Sequence, residues 1–289
     1  MIPPFEYQSP GTLTEACRLL GEWGPRGKII AGGTDLVVSL RKGEAQPQIL
    51  IDITRIPELR RIEEAGGKIR VGAAVTHGEI ASSKLIQQYG KVLSDAASWV
   101  GSPQIRNLGT IGGNIVNASP AADTLPALMV LEATGRVLSP GTDREVPLCE
   151  LLRGPYQSTL IPVELLAQVS FPKLSSDFRT GFIRLARRAA MAISRMSVAV
   201  ALRMVQGEDR IDEARISAGA VMPTPRRMSE AESILRGKTP DEETMKKAAQ
   251  CISGIMVRRS GVRPSTAYKA PVVEALFLRC MRQALGNSP

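Results

Sequence analysis

Thr110 to Pro126 reads TIGGNIVNASPAADTLP, and the paired glycines near its start limit the chain more than any other stretch. Gly112 and Gly113 have no Cβ, so the backbone there is free to take positive φ and to approach a ligand closely. Thr110 and Asn114 flank them with a hydroxyl and an amide, and Ile111 completes the segment. A Gly-Gly turn of this kind is expected to present a nest of backbone N–H groups to a diphosphate. Ser119-Pro120 and Asp123 then read as the entry to a helix. A second Gly-Gly segment, Lys28 to Leu36 (KIIAGGTDL), lies about eighty residues upstream, after an apolar strand-like run and before a polar residue able to cap a helix. Two such segments can grip one dinucleotide from both sides.

The rest of the first half reads as support for them. Thr12-Leu13-Thr14-Glu15 is a capping box, Leu13, Ala16, Cys17 and Leu20 follow at helical spacing, and Trp23-Gly24-Pro25 ends that helix. Lys28 to Ala31 reads as a short buried strand, Gly32-Gly33-Thr34 as a loop, Asp35 to Arg41 as one or two helical turns, and Ile49 to Ile53 as a returning strand. This is a small βαβ-type unit whose loop stands at a strand end, where α/β folds hold ligands. Arg60 to Glu63 and Ile69 to Ala73 flank Ala65-Gly66-Gly67 as a hairpin, and Thr76 to Glu79 repeats the capping-box pattern. His77, in the first turn of that helix, reads as a packing or capping residue and is assigned no chemistry. Leu85 to Val100 reads as one helix, broken by Gly101-Ser102-Pro103. Leu125 to Ala133 reads as an apolar helix at whose start Asp123 can serve equally as a cap or as the acceptor for a ligand hydroxyl.

Phe171-Pro172-Lys173 closes this part, and Leu174 to Thr180 reads as a linker. Phe182 to Ala186, Ser197 to Met204 and Ala214 to Val221 read as strands, with Gln206 to Arg210 a turn between the last two. Three helices follow: Arg226 to Leu235, one capped at Thr239-Pro240-Asp241-Glu242, and Ser265 to Leu285 closed by Gly286. The fold class is α+β. Residues 1–175 form a two-part domain, 1–56 a βαβ-type subdomain and 57–175 a mixed-sheet subdomain, and 176–289 a three-stranded antiparallel sheet with three helices.

Composition excludes several functions. No apolar run approaches the roughly 18 residues needed to cross a bilayer, and MIPPFEYQSP lacks the basic and apolar regions of a signal peptide, so a cytoplasmic protein without membrane attachment is expected. Cys17, Cys149, Cys251 and Cys280 are far apart, without a CxxC pair and with a single histidine, which opposes a zinc or iron–sulfur site on this chain. The net charge of +9 is uneven: residues 1–150 carry 15 Lys+Arg against 16 Asp+Glu, and residues 151–289 carry 22 against 12. Aromatics make up only 4% of the chain and are not interleaved with the arginines, so no stacking surface for nucleic acid is expected. A docking face for an acidic partner, or a solvated surface, suits the basic half better.

AGGTD at 31–35, SPQIRN at 102–107, TIGGN at 110–114 and ASPAAD at 118–123 occur together, with Asp123 nine residues beyond Asn114. In this combination the chain resembles, over nearly its whole length, the FAD-binding medium subunits of the molybdenum hydroxylases, the xanthine dehydrogenase and carbon monoxide dehydrogenase family. The resemblance implies an FAD-binding domain of the p-cresol methylhydroxylase/vanillyl-alcohol oxidase type, followed by the small α+β domain of the CO dehydrogenase flavoprotein type. It implies that Ile29, Ile30, Ala31, Gly32, Gly33, Thr34, Asp35 and Leu36, with Thr110, Ile111, Gly112, Gly113 and Asn114, wrap the FAD pyrophosphate. It also sets Val100, Asp123, Leu166 and Arg184 around the rest of the cofactor. The implied partners are a large molybdopterin-binding subunit carrying the molybdenum cofactor and a small subunit carrying [2Fe–2S] clusters, in a heterotrimer or its dimer. Electrons would leave to NAD+, oxygen or another acceptor, and no substrate-oxidising residue is implied on this chain.

Two positions depart from the family pattern. A lysine is usual where Arg184 stands, and Ala190-Met191-Ala192-Ile193 lacks the acidic residue often found before the isoleucine, a carboxylate that Arg187, Arg188 or Arg195 would pair with. The scattered cysteines also oppose the [4Fe–4S] cluster of the branch resembling 4-hydroxybenzoyl-CoA reductase. Two other readings stand beside this one: a subunit of the same shape without flavin, and a basic nucleic-acid-binding protein.

Overall fold

Strand β1 (Glu6–Gln8) is followed by α1 (Leu13–Trp23), whose N-cap Thr12 accepts a hydrogen bond from the Glu15 N–H at 3.2 Å. The Glu15 carboxylate reaches back to the Gly11 N–H at 3.1 Å, so the capping box closes one residue earlier than the sequence pattern implies. β2 (Gly27–Ile30), α2 (Leu36–Lys42) and β3 (Ile49–Asp52) form the βαβ unit, with β2 parallel to β3 and Ile29 opposite Ile51. β1 adds in parallel to the other side of β3. α1 lays Ala16, Leu19 and Leu20 against Ile49 and Ile51, which gives this small sheet its own core. The computed structural model describes residues 4–188 and 191–286; the ends of the chain and, with them, Ala190 of the second departure lie outside the described residues.

β4 (Ile62–Ala65) and β5 (Lys68–Gly72) form the expected hairpin, with Gly66 and Gly67 at φ 58° and 73° as a tight turn requires. Six helices follow in sequence: α3 (His77–Ser82), α4 (Lys84–Tyr89), α5 (Lys91–Ser98), α6 (Pro103–Leu108), α7 (Ile111–Asn117) and α8 (Thr124–Val130). The single helix expected over Leu85–Val100 is two, divided at Gly90. A Cβ on Gly90 would stand 2.7 Å from the Phe171 ring, so the break lets the chain turn over that ring.

The hairpin of β6 (Thr134–Ser139) and β7 (Thr142–Pro147), the short pair β8 (Leu152–Gly154) and β9 (Gln157–Ser158), and β10 (Leu165–Pro172) complete this part. The five-stranded sheet runs β4-β5-β10-β6-β7, and every neighbouring pair is antiparallel. The sheet expected as mixed is therefore wholly antiparallel: tight turns join both hairpins, and β10 enters between them running against each.

β11 (Phe178–Ala186), β12 (Ser194–Met204) and β13 (Ile211–Gly219) form the antiparallel sheet of the C-terminal part, covered by α9 (Ser229–Leu235), α10 (Glu242–Ser260) and α11 (Thr266–Leu285). The linker is shorter than expected, because Phe178 already pairs with Arg203 in the ladder. The N-cap of α10 is Asp241, which accepts from the Thr244 N–H at 2.7 Å, and not Thr239; the carboxylate nearer the helix takes the free N–H. Along β12 the side chains alternate between two cores. Val198, Val200 and Leu202 join Phe277 and Met281 of α11, while Ala199 and Ala201 join the core of the antiparallel five-stranded sheet through Leu128 and Val130 of α8. The two parts thus share a packed seam. Among the described residues no helix is long and apolar enough to cross a membrane, and no group of three or more His, Cys, Asp or Glu could hold a metal ion.

Candidate functional site

The two glycine segments meet. A Cβ on Gly32 would fall 1.8 Å from the Leu108 carbonyl oxygen and 3.0 Å from Gly109 Cα, so the backbone that leads into TIGGN occupies the place of a Gly32 side chain. Gly33 takes φ 68°, and the Val37 N–H closes on its carbonyl at 2.9 Å. Ile29 and Ile30 deliver the chain here from β2, with the Ile30 carbonyl bound by the Ile53 N–H, and Ala31 turns out of the strand. Among the described residues the consecutive N–H groups of Gly32, Gly33, Thr34 and Asp35 find no acceptor in the protein. Successive unpaired N–H groups around a left-handed glycine are able to bind an anion. Asp35 precedes Leu36 at the start of α2 without capping it, and its Oδ1 accepts from Asn117 Nδ2 at 3.1 Å.

The second segment differs from the expected turn. Thr110 is the N-cap of α7, and neither Gly112 nor Gly113 has positive φ. Its N–H groups already have partners: Ile111 donates to Val75 O and Gly112 to Ala73 O, both at 2.9 Å, Gly113 to Thr110 Oγ1 at 3.1 Å, and Asn114 to Thr110 O at 2.9 Å. The two glycines also do different work. A Cβ on Gly112 would lie 2.6 Å from Ala73 Cβ and 2.7 Å from Ala73 O, so Gly112 is required by packing. Gly113 is exposed, and a Cβ there would approach only Thr110 Oγ1, at 3.1 Å. Asn114 points its Oδ1 at Thr124 Oγ1, 2.6 Å away at the start of α8. Beneath both segments His77 is buried, its N–H donating to Gly109 O at 3.0 Å; burial, helped by Arg106, lowers its pKa to about 4. It is a neutral packing residue, as its place in the helix suggests.

Asp123 makes no cap hydrogen bond to α8. Only 5% exposed, it accepts from Ser194 Oγ at 2.8 Å and faces Arg184 Nη1 at 3.5 Å, both through Oδ2, while Oδ1 is buried without a partner. Burial raises its pKa to about 6, opposed by Ser194 and Arg184. Of its two sequence readings the plain cap is excluded, and one carboxylate oxygen stays open to a donor. The Arg184 guanidinium donates to Trp99 O at 2.9 Å and Ala192 O at 3.3 Å, and stacks 4.9 Å from the centre of the Trp99 ring. Val100 adjoins this cluster, its carbonyl bound by Arg106 Nη1 at 3.1 Å. Leu166 lies instead in the sheet core, opposite Val137; it connects to the second segment through Ala167, whose carbonyl accepts from Ala73, which in turn accepts from Gly112. At the second departure Ile193 is 81% exposed, and Arg188 donates to the Met191 carbonyl at 2.7 Å.

Sequence reasoning missed Asn117, Ser194 and Trp99. Asn117 stands one helical turn beyond Asn114, a relation visible only once TIGGN is read as the start of a helix. Ser194 and Trp99 reach the site from the ends of β12 and α5, and nothing local marks them.

A family model described as the FAD binding domain in molybdopterin dehydrogenase matches residues 3–174, and one described as the CO dehydrogenase flavoprotein C-terminal domain matches residues 182–284. The 6-hydroxypseudooxynicotine dehydrogenase complex subunit alpha of Paenarthrobacter nicotinovorans is 34% identical over 98% of this chain and 95% of its own length. The carbon monoxide dehydrogenase medium chain of Hydrogenophaga pseudoflava is 31% identical over 98% of both. The solved carbon monoxide dehydrogenase of H. pseudoflava, in a form lacking the Mo-pyranopterin moiety, superposes with a TM-score of 0.92 at 30% identity over the whole of both chains.

Proposed function

The chain belongs to the family of FAD-binding subunits of molybdopterin dehydrogenases, and from that premise we propose that it is the FAD-binding electron-transfer subunit of a molybdenum hydroxylase complex. It accepts electrons from [2Fe–2S] clusters of a small partner subunit and passes them to NAD+ or another acceptor, while substrate oxidation takes place on a large molybdopterin-binding subunit. The complex is a cytoplasmic heterotrimer or its dimer. Residues 1–175 form the flavin domain and 176–289 the domain that closes it.

The residues present suit FAD. The N–H groups of Gly32 to Asp35 are unused donors on a left-handed glycine turn, which suits diphosphate oxygens that need no counter-charge. Gly113 presents exposed backbone without a side chain, so a ligand can lie against it. The Thr110 hydroxyl accepts from Gly113 and keeps its own proton to donate. Asp123 Oδ1, buried and unpartnered, is an acceptor for a ligand hydroxyl or ring N–H, and Ser194 and Arg184 fix its orientation. Val100 supplies apolar surface, and Leu166, buried in the sheet core, supports the second segment through Ala167 and Ala73. Bound flavin contributes the capacity to take up reducing equivalents and release them singly or as hydride; the protein contributes position and electrostatics.

One observation supports this reading: the Gly32 backbone lies directly on Leu108–Gly109, which brings the two segments into contact. The test is purification from the native source. A yellow protein that elutes with a molybdenum subunit and a [2Fe–2S] subunit, and whose flavin band bleaches when the complex is given its substrate, is expected. A colourless protein eluting alone contradicts the proposal.

A further inference from the structure

Helix α8 is tied to the C-terminal part at both ends. At its start Asp123 meets Ser194 and Arg184. Just past its last turn Glu132 stands at φ 54°, in the left-handed region that favours glycine and strains a residue with a side chain. The turn is a Schellman cap, in which the Glu132 N–H donates to Met129 O and the Ala133 N–H to Leu128 O, both at 3.1 Å. Glycine would close such a cap without strain, so the cap itself gives no reason for a glutamate. The carboxylate does. Its Oε1 accepts from Arg227 Nη1 at 2.9 Å and its Oε2 faces Arg215 Nη1 at 3.1 Å, one oxygen to each arginine.

Both arginines belong to the C-terminal part and are themselves fixed. Arg215, on β13 and buried, also pairs with Glu213 at 2.7 Å, donates to Val130 O at 3.3 Å and stacks 5.1 Å from the centre of the Phe178 ring. Arg227 forks onto the buried Glu232 at 2.6 and 2.9 Å. Charges therefore alternate through Glu213, Arg215, Glu132, Arg227 and Glu232, and of these five only Glu132 comes from the flavin part. Its side chain is half-exposed, and ion pairs of that exposure add little to stability, so the pairing acts more on geometry than on the strength of the fold. All seven residues of α8, Thr124 to Val130, are buried, and close packing lets the helix move only as a rod about 10 Å long. Displacing one end displaces the other. We propose that Glu132 is a positioning residue for the flavin site: by clamping Arg215 and Arg227 it sets how the C-terminal part closes on the flavin part, and through α8 it sets Asp123 against the cofactor. This rests on the flavin reading of Asp123. Left-handed strain at a glutamate persists because the ion pairs on either side of it hold the backbone there.

The test is flavin release from the purified complex, followed by stopped-flow dilution in wild type, Glu132→Gln and Glu132→Gly. Glutamine keeps the left-handed strain and glycine removes it, so the flavin-free complexes should melt at different temperatures, the glycine variant above the glutamine variant. Both variants are nonetheless expected to release flavin about fivefold faster or more, and to shift the flavin absorbance in the same direction. Wild-type release and absorbance in both variants, or release that simply follows the melting temperature, overturns the proposal. If the glutamine variant fails to fold, the glycine variant decides. A colourless wild-type complex contradicts the flavin reading and this role together, whereas a yellow complex with unchanged variants overturns the role of Glu132 alone.

Discussion

Asn117 Nδ2 donates to Asp35 Oδ1 at 3.1 Å and thereby joins two segments 82 residues apart. The bond is exposed, so it contributes only about 0.5–1.5 kcal/mol to the fold, but it ties together the two segments proposed to hold the diphosphate. Asn117→Leu is expected to lower the melting temperature only slightly while speeding flavin release. Asn117→Asp, which sets two carboxylates against each other, should speed it further. Stopped-flow dilution of the holoprotein measures this; unchanged release rates in both variants would show that the latch has no part in holding the cofactor.

Gly32 tolerates no side chain. With its Cβ position 1.8 Å from the Leu108 oxygen, Gly32→Ala must part the two segments, an overpacking cost of about 1–3 kcal/mol or more. Both stability and flavin content are expected to fall. Normal values of both would mean that the close approach can relax freely.

Two buried groups give opposing pH dependence. His77 is held at about 4, mainly by burial, below its usual 6.5, so its contribution is complete above about 6.5 and is lost as pH falls toward 4. Burial raises Asp123 from 3.8 to about 6, so its contribution is complete below about 4 and is lost as pH rises toward 6. Each is worth roughly 2–4 kcal/mol at full extent. In urea unfolding of the flavin-free protein between about pH 4 and pH 6.5, Asp123→Asn should lose stability on acidification more steeply than wild type, and His77→Gln less steeply. Profiles parallel to wild type would refute both assignments.

Arg184→Lys restores the residue usual in the family but loses the planar fork that holds Trp99 O and Ala192 O and stacks on the Trp99 ring. Stability is expected to fall by about 1–2 kcal/mol, and the flavin absorbance and reduction potential to shift as Asp123 loses a fixed neighbour. An unchanged spectrum and potential would place Arg184 away from the cofactor.

Much of this was legible in the residues, and the exceptions share a cause. The N-cap at Thr12, the capping box at Thr76, the Gly66-Gly67 hairpin and the helix stop at Gly286 are local signals, and all appear in the structure. The two glycine segments, singled out by their flanking residues, are in contact in the structure. TIGGN was misread as a turn because a helix's first turn and a nest both favour small residues after a threonine; the deciding contact, Gly112 on Ala73, is tertiary. The division at Gly90 depends on Phe171, and the role of Asp123 on Ser194 and Arg184, partners far along the chain that no local pattern specifies.

The two adjacent glycines of TIGGN separate fold from ligand most directly. Gly112→Val drives a branched side chain into Ala73 and should destabilise the fold, whereas Gly113→Val meets only Thr110 Oγ1 and should leave it intact while blocking the cofactor. The decisive measurement is the ratio of FAD to protein in purified Gly113→Val, together with its melting temperature after flavin removal. Near-complete loss of FAD with a near wild-type melting temperature is expected; stoichiometric FAD in this variant contradicts the placing of a diphosphate between the two segments.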